Sequence, residues 1–267
     1  MKTFTALVAT LTCCTCSIAA EPIRILAWNI ESGRSDTAVI IDQLKTQMPN
    51  YDIVALSEVP SNAIERIAKA LNWKYFGGSR GGEDRLMFAW SSRFNVKLQR
   101  ELRNVGDAEF PGGNNRAPLY IQLQDTQTSK DIIVMNNHLT RGKEKNRNKQ
   151  AELLVDWVRN IRDPVFAVGD YNMDYEFKTR KGNAAFDLIQ KNGHWKWIEP
   201  MELIDTNWAD PDGDGNDNYP ESMLDFVFVN AAAQDLKVKC EVIVRDRDFP
   251  DNEKTSDHRP VLTTVDW

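Results

Sequence analysis

Short apolar segments recur along the chain and are separated by polar turns and amphipathic stretches. Continuous apolar runs of this length are typical of strands that are buried on both faces of a sheet. They predict strands at residues 23–27, 52–56, 86–90, 96–98, 118–123, 132–135, 165–168, 224–229, 236–244 and 261–265.

Helical periodicity predicts three helices between these strands. Ser35 and Ser61 are candidate N-caps for the first two, because a serine oxygen can accept a hydrogen bond from the first helical turn. The third covers residues 144–161. The apolar residues that fall at helical spacing are Val39, Ile40 and Leu44, then Ile64, Ile67, Ala68 and Leu71, then Ala151, Leu154, Val155, Val158 and Ile161. The chain is therefore α/β, with too many consecutive strands for a simple doubly wound sheet.

Polar residues able to bind metal or transfer protons interrupt the chain where the apolar runs begin or end. They are Asn29, Glu58, His138, Asp170, Asn172, Asp225, Asp257 and His258. Sites on layered α/β proteins form at strand ends and in the loops that follow them. A single polar residue in such a place is more often a cap, a turn or a solvated side chain. Repetition of the pattern at several strands favours one shared site.

A shared site would hold several carboxylates, and this restricts its chemistry. Two carboxylates about 4 Å apart repel by about 4 kcal/mol at an effective dielectric constant near 20. Such a cluster must bind a cation or share protons. Oxygen ligands without cysteine suit Mg²⁺, Mn²⁺ or Ca²⁺ better than Zn²⁺. A hard dication assists phosphate-ester hydrolysis by neutralising charge, and His138 and His258 could transfer protons or contact phosphate oxygens.

The first 20 residues differ from the rest of the chain. Lys2 precedes a mostly apolar stretch that ends in the small residues Ser17, Ala19 and Ala20, a pattern that predicts a cleaved secretory signal. The stretch is shorter than the roughly 20 residues of a membrane-spanning helix. We expect residues 1–20 to be a signal peptide and residues 21–267 to form one domain. The mature protein would be secreted or periplasmic, without stable membrane insertion.

Loss of this segment changes the cysteine content and the charge. Only Cys240 of the four cysteines remains, so no internal disulfide can form. The net charge changes from −6 to −7, because the segment contains Lys2 and no acidic residue. An acidic balance disfavours a protein that coats nucleic acid through a basic surface. It is compatible with an enzyme that brings metal cations to its own phosphate site, and nothing in the sequence indicates an obligate protein partner.

Six short motifs occur in an order that resembles the endonuclease/exonuclease/phosphatase superfamily. They are Ala27-Trp28-Asn29, Ser57-Glu58-Val59, Asn137-His138-Leu139, Gly169-Asp170-Tyr171-Asn172, Leu224-Asp225-Phe226 and Ser256-Asp257-His258-Arg259-Pro260. The motifs span nearly all of residues 21–267. The resemblance implies a four-layer α/β sandwich, in which two mixed β-sheets pack face to face with helices outside.

The same resemblance implies roles for the motif residues. Asn29 and Glu58 would hold the metal ion, Mg²⁺ or Mn²⁺, with support from Asp257. Asp170 would orient or deprotonate the attacking water, and Asn172 would contact the phosphate. The resemblance also implies that His258 contacts the scissile phosphate and that Asp225 fixes the tautomer of His258. His138 would be a second phosphate-facing histidine, as in the deoxyribonuclease I branch.

Two further roles follow from similarity to that branch. Asn115-Arg116-Ala117-Pro118 is similar to an Arg-x-Pro segment that opens a strand, which implies that Arg116 contacts phosphate. The alternative is a surface arginine paired with an acid. Asp84 stands where the branch has an acid that orients the first histidine, and Glu83 competes for that role.

The motifs predict the chemistry but leave the substrate open. A basic segment follows His138 and could contact a nucleic-acid backbone or be a solvated helix start; its members are Arg141, Lys143, Lys145, Arg147 and Lys149. We therefore favour a nuclease acting on DNA or RNA. A secreted sphingomyelinase-like phosphodiesterase or small-molecule phosphatase is the alternative, and Trp195, Trp197 and Trp208 keep membrane docking open. A hypothesis from a different functional class is a catalytically inactive fold that serves as a secreted binding module.

An acidic segment suggests a second, structural cation. Residues 210–221 place Asp210, Asp212 and Asp214 at positions one, three and five, with Glu221 at position twelve. This is the spacing of an EF-hand calcium loop. Two prolines and the predicted strand that follows differ from a true EF-hand. The segment therefore predicts either a Ca²⁺ site or an acidic surface turn.

Overall fold

The computed structural model describes residues 20–111, 116–250 and 254–267. The predicted signal peptide, apart from Ala20, and Asn115 lie outside the described residues. The strands are β1 (Ile23–Asn29), β2 (Ile53–Val59), β3 (Lys74–Gly77), β4 (Arg85–Trp90), β5 (Phe94–Glu101), β6 (Asn104–Val105), β7 (Ala108–Glu109), β8 (Leu119–Asp125), β9 (Asp131–His138), β10 (Val165–Glu176), β11 (Trp195–Trp197), β12 (Ser222–Asn230), β13 (Lys237–Val242) and β14 (Val261–Asp266). The α-helices are α1 (Thr37–Thr46), α2 (Ile64–Leu71), α3 (Glu144–Val158) and α4 (Ala184–Gln190).

Two six-stranded sheets form the centre of the fold. Sheet 1 has the order β13-β14-β1-β2-β4-β3, and sheet 2 has the order β11-β12-β10-β9-β8-β5. One pair in each sheet is parallel, β1 with β2 and β9 with β10, and the other pairs are antiparallel. Both sheets are therefore mixed. Strands β6 and β7 form a separate two-stranded ribbon.

The side chains of β1 show how the layers are built. Ile23, Ile25 and Ala27 contribute to the larger apolar core, which fills the space between the sheets and extends to α3 and α4. Leu26 and Trp28 point the other way, into a second core with residues of α1 and α2. Because successive strand residues face opposite sides, a strand covered on both faces is apolar throughout. The result is the predicted four-layer α/β sandwich, which is confirmed.

The helix starts differ from those predicted. Helix α1 is capped by Asp36, whose carboxylate accepts a hydrogen bond from the Ala38 amide, and not by Ser35. The hydroxyl of Ser35 donates instead to the Ile30 and Glu31 carbonyls. Helix α2 begins at Ile64, and the Ser61 hydroxyl pairs with Glu83. Ser35 therefore bonds to backbone carbonyls of the preceding turn, whereas Ser61 is held by an acid that is distant in sequence.

Short edge elements were not predicted. Strands β3 and β11 lie at sheet edges and helix α4 has only seven residues, so none of them produces a long periodic pattern. Strand β10 also continues to Glu176, well beyond residue 168, because Tyr171, Met173 and Tyr175 alternate inward. Among the described residues, no helix is long and apolar enough to cross a membrane.

Candidate active site

The polar strand ends predicted from the sequence converge at one edge of the two sheets. There they line a single cavity, formed by Glu31, Ser32, Arg34, Glu58, Asp84, Arg116, His138, Arg141, Asp170, Asn172, Asp257 and His258. Asn29 and Asp225 lie immediately behind its wall and are each 1% exposed. The convergence follows from the parallel pairs β1–β2 and β9–β10, whose carboxyl ends lie at the same edge of each sheet.

Irregular backbone turns two of these side chains into the cavity. Strand β2 shifts register against β4 between Leu56 and Val59, and Glu58 in that interval has φ of 53°. Strand β10 is irregular after Asp170, and Asn172 has φ of 50°. Bulges of this kind redirect side chains beside active sites. Left-handed backbone at non-glycine residues is strained and is often found at functional sites.

Close packing between β9 and β10 fixes the position of Asp170. The preceding Gly169 has φ of 122°, and a Cβ atom there would lie 2.2 Å from the Asn137 carbonyl oxygen. Only glycine therefore fits between the strands at this point. The neighbouring Asn136 side chain donates to the Leu56 and Met87 carbonyls of the facing sheet, at 2.8 and 3.1 Å. This bridge ties sheet 2 to the part of β2 that precedes Glu58.

Asp170 lies at the centre of the site. Its Oδ2 atom is 3.1 Å from Asn29 Nδ2, 3.3 Å from Asn172 Nδ2 and 3.3 Å from His138 Nε2. Burial raises the pKa of this carboxyl group from 3.8 to about 7, although the charge of His258 opposes the shift. A carboxylate with a raised pKa is suited to accepting a proton near neutral pH.

His258 and Asp225 form a buried pair. His258 Nδ1 lies 2.8 Å from Asp225 Oδ2, and its Nε2 faces the cavity 4.0 Å from Asp170 Oδ2. Burial alone would lower the pKa of His258, but the charges of Asp225 and Asp257 outweigh it and raise the pKa well above its usual value. The imidazolium form can therefore donate from Nε2 into the cavity.

Long-range contacts hold the backbone of His258. Its carbonyl oxygen accepts hydrogen bonds from Trp28 Nε1 at 2.8 Å and from Arg245 Nη2 at 3.2 Å. Its amide donates to Ser256 Oγ, which in turn donates to the Asn29 carbonyl. The histidine is therefore positioned from both strand β1 and the segment after β13. Trp28 and Arg245 were not predicted in this role.

His138 has a different electrostatic environment from His258. Its Nε2 lies 3.7 Å from Glu58 Oε1, and its Nδ1 lies 3.8 Å from Asp84 Oδ1. Burial lowers the pKa of His138 well below its usual value, and the positive charges of Arg116, His258 and Arg141 add to this effect. The surroundings thus shift the pKa values of the two histidines in opposite directions.

Asp84, and not Glu83, faces the first histidine. Glu83 points away and accepts hydrogen bonds from Ser61. Arg116 forms an ion pair with Asp84 while it lines the cavity. The alternative interpretation, an arginine paired with an acid, is thus what the structure shows, and contact of Arg116 with phosphate stays a prediction.

The acidic side of the cavity fits a hard dication. Glu58, Asp84 and His138 each offer a ligand atom within 4.8 Å of the others. Asp84 Oδ1 and His138 Nδ1 are buried and have no hydrogen-bond partner among the described residues. Burial, together with the charge of Asp84, raises the pKa of Glu58. A bound cation would give Asp84 Oδ1 a partner and would lower the raised pKa of Glu58.

The other two predicted metal ligands occupy different positions. Asn29 directs Nδ2 to Glu58 and Asp170, and its Oδ1 accepts from the Glu31 amide. Asn29 thus orients two carboxylates and turns its oxygen away from Glu58. Asp257 lies on the His258 side, with Oδ1 3.8 Å from His258 Nε2. The grouping of Glu58 with Asp84 is a difference from the ligand set that the sequence predicts.

Asn172 lines the cavity, and its predicted contact with phosphate stays a prediction from the sequence. Its Nδ2 atom donates to the Leu139 carbonyl at 3.0 Å and lies 3.3 Å from Asp170 Oδ2. Its amide N–H donates to Asp170 Oδ1. The backbone and the side chain of Asn172 therefore both donate to the Asp170 carboxylate.

The basic segment after His138 divides into different environments. Arg141 lines the cavity, whereas Arg147 is 7% exposed and donates to the Thr140 and Arg141 carbonyls. Lys143 and Lys145 are exposed at the start of α3, and Lys149 pairs with Glu152. Only Arg141 of this segment lines the catalytic cavity. The loop from Glu31 to Arg34 lines it too and was missed, although it directly follows Asn29.

The acidic segment after residue 209 forms a loop closed by Asp210. The Asp210 carboxylate accepts hydrogen bonds from the Gly213, Asp214 and Gly215 amides. Asp210, Asp212 and Asp214 offer oxygen atoms within 4.8 Å of one another. Glu221 is exposed and does not belong to this group. The backbone bonds show how the loop can close without an ion, and calcium binding stays a prediction from the sequence.

Calcium titration of the loop tests that prediction. We expect the wild type to bind Ca²⁺ and an Asp212→Ala/Asp214→Ala variant to lose the binding, because the variant removes two of the three clustered carboxylates. Isothermal titration calorimetry measures this difference. Identical titrations would show that residues 210–221 are only a surface turn.

Residues 26–258 match the family model of the Endonuclease/Exonuclease/phosphatase family. The chain belongs to this family, which confirms the resemblance drawn from the motifs. Members of the family are typically phosphoesterases that use divalent metal ions, and this chain is accordingly a hydrolase of phosphate esters. A comparison with curated protein sequences finds no match.

Solved structures share the whole fold at low sequence identity. A family member from Bacteroides vulgatus has 20% identity and a TM-score of 0.70, with 92% of this chain and 99% of that chain covered. A mannosyl-6-phosphatase from Bacteroides thetaiotaomicron has 17% identity and a TM-score of 0.66, with 92% and 100% covered. TDP2 from D. rerio, complexed with a single-strand DNA product, has 17% identity and a TM-score of 0.67, with 92% and 99% covered.

Proposed function

We propose that this protein is a secreted phosphodiesterase that uses Mg²⁺ or Mn²⁺ to cleave nucleic acid. The observation that carries the proposal is the opposition of the His258–Asp225 pair and Asp170 across one cavity, beside the Glu58–Asp84 group. This arrangement supplies a proton donor, a proton acceptor and a cation site around the space for one phosphate. Secretion is part of the proposal and rests on residues 1–20 alone.

In the proposed mechanism each side chain acts at a stated atom. Asp170 Oδ2 receives or orients the proton of the attacking water, while Asn29 and Asn172 hold the carboxylate in place. His258 donates from Nε2 to a phosphate oxygen, and Asp225 stabilises the positive ring through Nδ1. Glu58 and Asp84 would hold the cation, which neutralises phosphate charge when bound. Arg116, fixed by Asp84, adds positive charge on the same side.

The preference for nucleic acid over lipid is supported by the surroundings of the cavity. Arg116 and Arg141 line it. The three tryptophans that left membrane docking open are not exposed: Trp195 is 1% exposed, while Trp197 and Trp208 are partly buried and pack against aromatic rings. A membrane-docking aromatic must instead reach the lipid interface. TDP2, a protein of the same fold, carries a DNA product in its solved structure.

Activity against a panel of phosphate esters tests the proposal. The mature chain, residues 21–267, would be assayed with plasmid DNA, a single-stranded oligonucleotide, RNA, sphingomyelin, bis(p-nitrophenyl) phosphate and p-nitrophenyl phosphate. We expect nucleic acid to be cleaved fastest and the diester faster than the monoester. Asp170→Asn protein purified in parallel controls for contaminating nuclease.

Each contrary result identifies an alternative. Faster cleavage of sphingomyelin than of DNA or RNA would favour the sphingomyelinase-like reading. Preference for the monoester would favour a small-molecule phosphatase, which is the activity in the name of the Bacteroides thetaiotaomicron structure. Absence of hydrolysis with every substrate and metal would favour an inactive binding module.

A further inference from the structure

Arg141 differs from the other arginines that line the catalytic cavity. Arg34 pairs with Glu31, and Arg116 pairs with Asp84. Within the described part of the chain, Arg141 forms no ion pair with a carboxylate. It is exposed, and its guanidinium carbon lies 5.6 Å from the centre of the Tyr219 ring. A cation stacked on an aromatic ring keeps its N–H groups available at its edge.

Arg147 holds Arg141 in this position. The Arg147 side chain is buried, and its Nη1 atom donates to the carbonyls of Thr140 and Arg141 at 3.1 and 2.5 Å. These bonds fix the backbone that carries the Arg141 side chain, directly after His138 and Leu139. Arg141 is therefore presented by a supported turn and not by a free surface loop.

Arg141 and Tyr219 also line two further cavities next to the catalytic one. One of these shares Arg34, Arg141 and Asp257 with the catalytic cavity and continues past Trp208 to Tyr219. The other contains Arg141, Tyr219 and Leu224. Tyr219 is 54% exposed, so part of its ring is available to a ligand. The Arg141–Tyr219 pair thus lies where the two neighbouring cavities adjoin the catalytic cavity.

The charges around the pair restrict what can bind. Asp174 and Glu176 line the cavity on the Leu224 side, where they accept hydrogen bonds from Asn183 and Thr179. Asp210 lines the Trp208 side and is bonded to backbone amides of its own loop. These acids repel a phosphate, which favours placement of an anionic group at Arg141 and of an uncharged planar group at Tyr219.

We propose that Arg141 and Tyr219 form a nucleotide subsite next to the scissile phosphate. Arg141 binds the phosphate or sugar oxygen of the neighbouring unit, and the nucleobase of that unit stacks on Tyr219. A basic residue combined with an exposed aromatic ring is the usual means of holding a single-stranded nucleic acid without sequence selection. This inference rests on the proposed phosphodiesterase function of the same site and names its substrate class.

Two chromogenic diesters test the subsite. Thymidine 5′-(p-nitrophenyl phosphate) and methyl p-nitrophenyl phosphate release the same leaving group, but only the first carries a planar base on the other side of the phosphate. We expect Tyr219→Ala to lower the ratio of their kcat/KM values by about fivefold or more, the range of base–aromatic stacking. Tyr219→Phe keeps the ring and should retain the wild-type ratio. Tyr75→Ala removes a tyrosine that is 45% exposed on β3 and serves as the matched control.

An unchanged ratio in Tyr219→Ala would overturn the subsite. A lower rate with p-nitrophenylphosphorylcholine, but not with the thymidine ester, would also overturn it and indicate a head-group site. Calorimetric binding of thymidine 3′,5′-bisphosphate separates this inference from the proposed function. If the wild type hydrolyses neither diester nor any nucleic acid, the proposed function fails. Weaker binding of the bisphosphate by Tyr219→Ala would then still support the subsite, and equal binding would refute it.

Discussion

Asp170→Asn and His258→Ala should each reduce turnover of a phosphodiester at least about 100-fold, the range of one general acid–base contribution. Asp170 is buried at the junction of both sheets and contacts Asn29, Asn172 and His138. Its replacement by asparagine removes the proton acceptor but retains the volume. Removal of the His258 ring eliminates the donor that Asp225 holds. Steady-state kinetics with bis(p-nitrophenyl) phosphate measures both effects.

Stability separates lost chemistry from lost folding. Burial raises the pKa of Asp170 to about 7, so the charged carboxylate is disfavoured in the folded state. The free energy of unfolding of the metal-free wild type should therefore fall as the pH rises from the ordinary carboxyl pKa toward 7. The asparagine variant should lack this decrease, because an asparagine does not ionise. The difference in melting temperature, Asp170→Asn minus wild type, should be more positive at about pH 8 than at about pH 5.

An exposed acid provides the matched control for this pair of variants. Asp156 lies on α3 and forms one ion pair among the described residues, with Arg159 at the surface, so the Asp156→Asn protein should retain the turnover and the pH dependence of stability of the wild type. Wild-type turnover in a folded Asp170→Asn protein would exclude Asp170 from the mechanism. The same result in folded His258→Ala would exclude the histidine.

The main elements of the fold were predictable because their signal is local. Strands buried on both faces are largely apolar, so β1, β2, β9 and β10 stand out in the sequence, and the apolar run within each of them ends at a polar residue. Strand ends converge in a layered α/β fold, and the catalytic cavity contains most of the predicted site residues. The order of the motifs then identified the family.

The parts that could not be predicted depend on distant contacts. Asp84 and Glu83 are adjacent in sequence. The ion pair of Asp84 with Arg116 and the hydrogen bond from Ser61 to Glu83 determine that Asp84 faces His138. The orientation of the Asn29 amide is set by the Glu31 amide and by Asp170. No periodic pattern encodes such choices, because each depends on a partner that the fold brings from elsewhere.

Removal of divalent metal should abolish hydrolysis, and Mg²⁺ or Mn²⁺ should restore it. Glu58 and Asp84 are partly buried and lie together with His138, and the charge of Asp84 contributes to the raised pKa of Glu58. A cation relieves this repulsion and supplies positive charge next to the phosphate. Dialysis against EDTA, followed by titration of each metal with bis(p-nitrophenyl) phosphate as substrate, measures the dependence. Full activity in a metal-free preparation would refute it.

The metal titration also decides which carboxylates hold the cation. Asp84 belongs to the group around Glu58, whereas Asp257 lies beside His258 and hydrogen-bonds through its backbone to Trp208 and Asn207. We therefore expect Glu58→Gln and Asp84→Asn to raise the Mg²⁺ concentration for half-maximal activity about tenfold or more, a change of roughly 1.4 kcal/mol. Asp257→Asn should shift it less. Stabilisation of each protein by Mn²⁺ in thermal melts provides a second readout without turnover. A larger shift for Asp257→Asn than for Asp84→Asn in both measurements would return the cation to the ligand set predicted from the sequence.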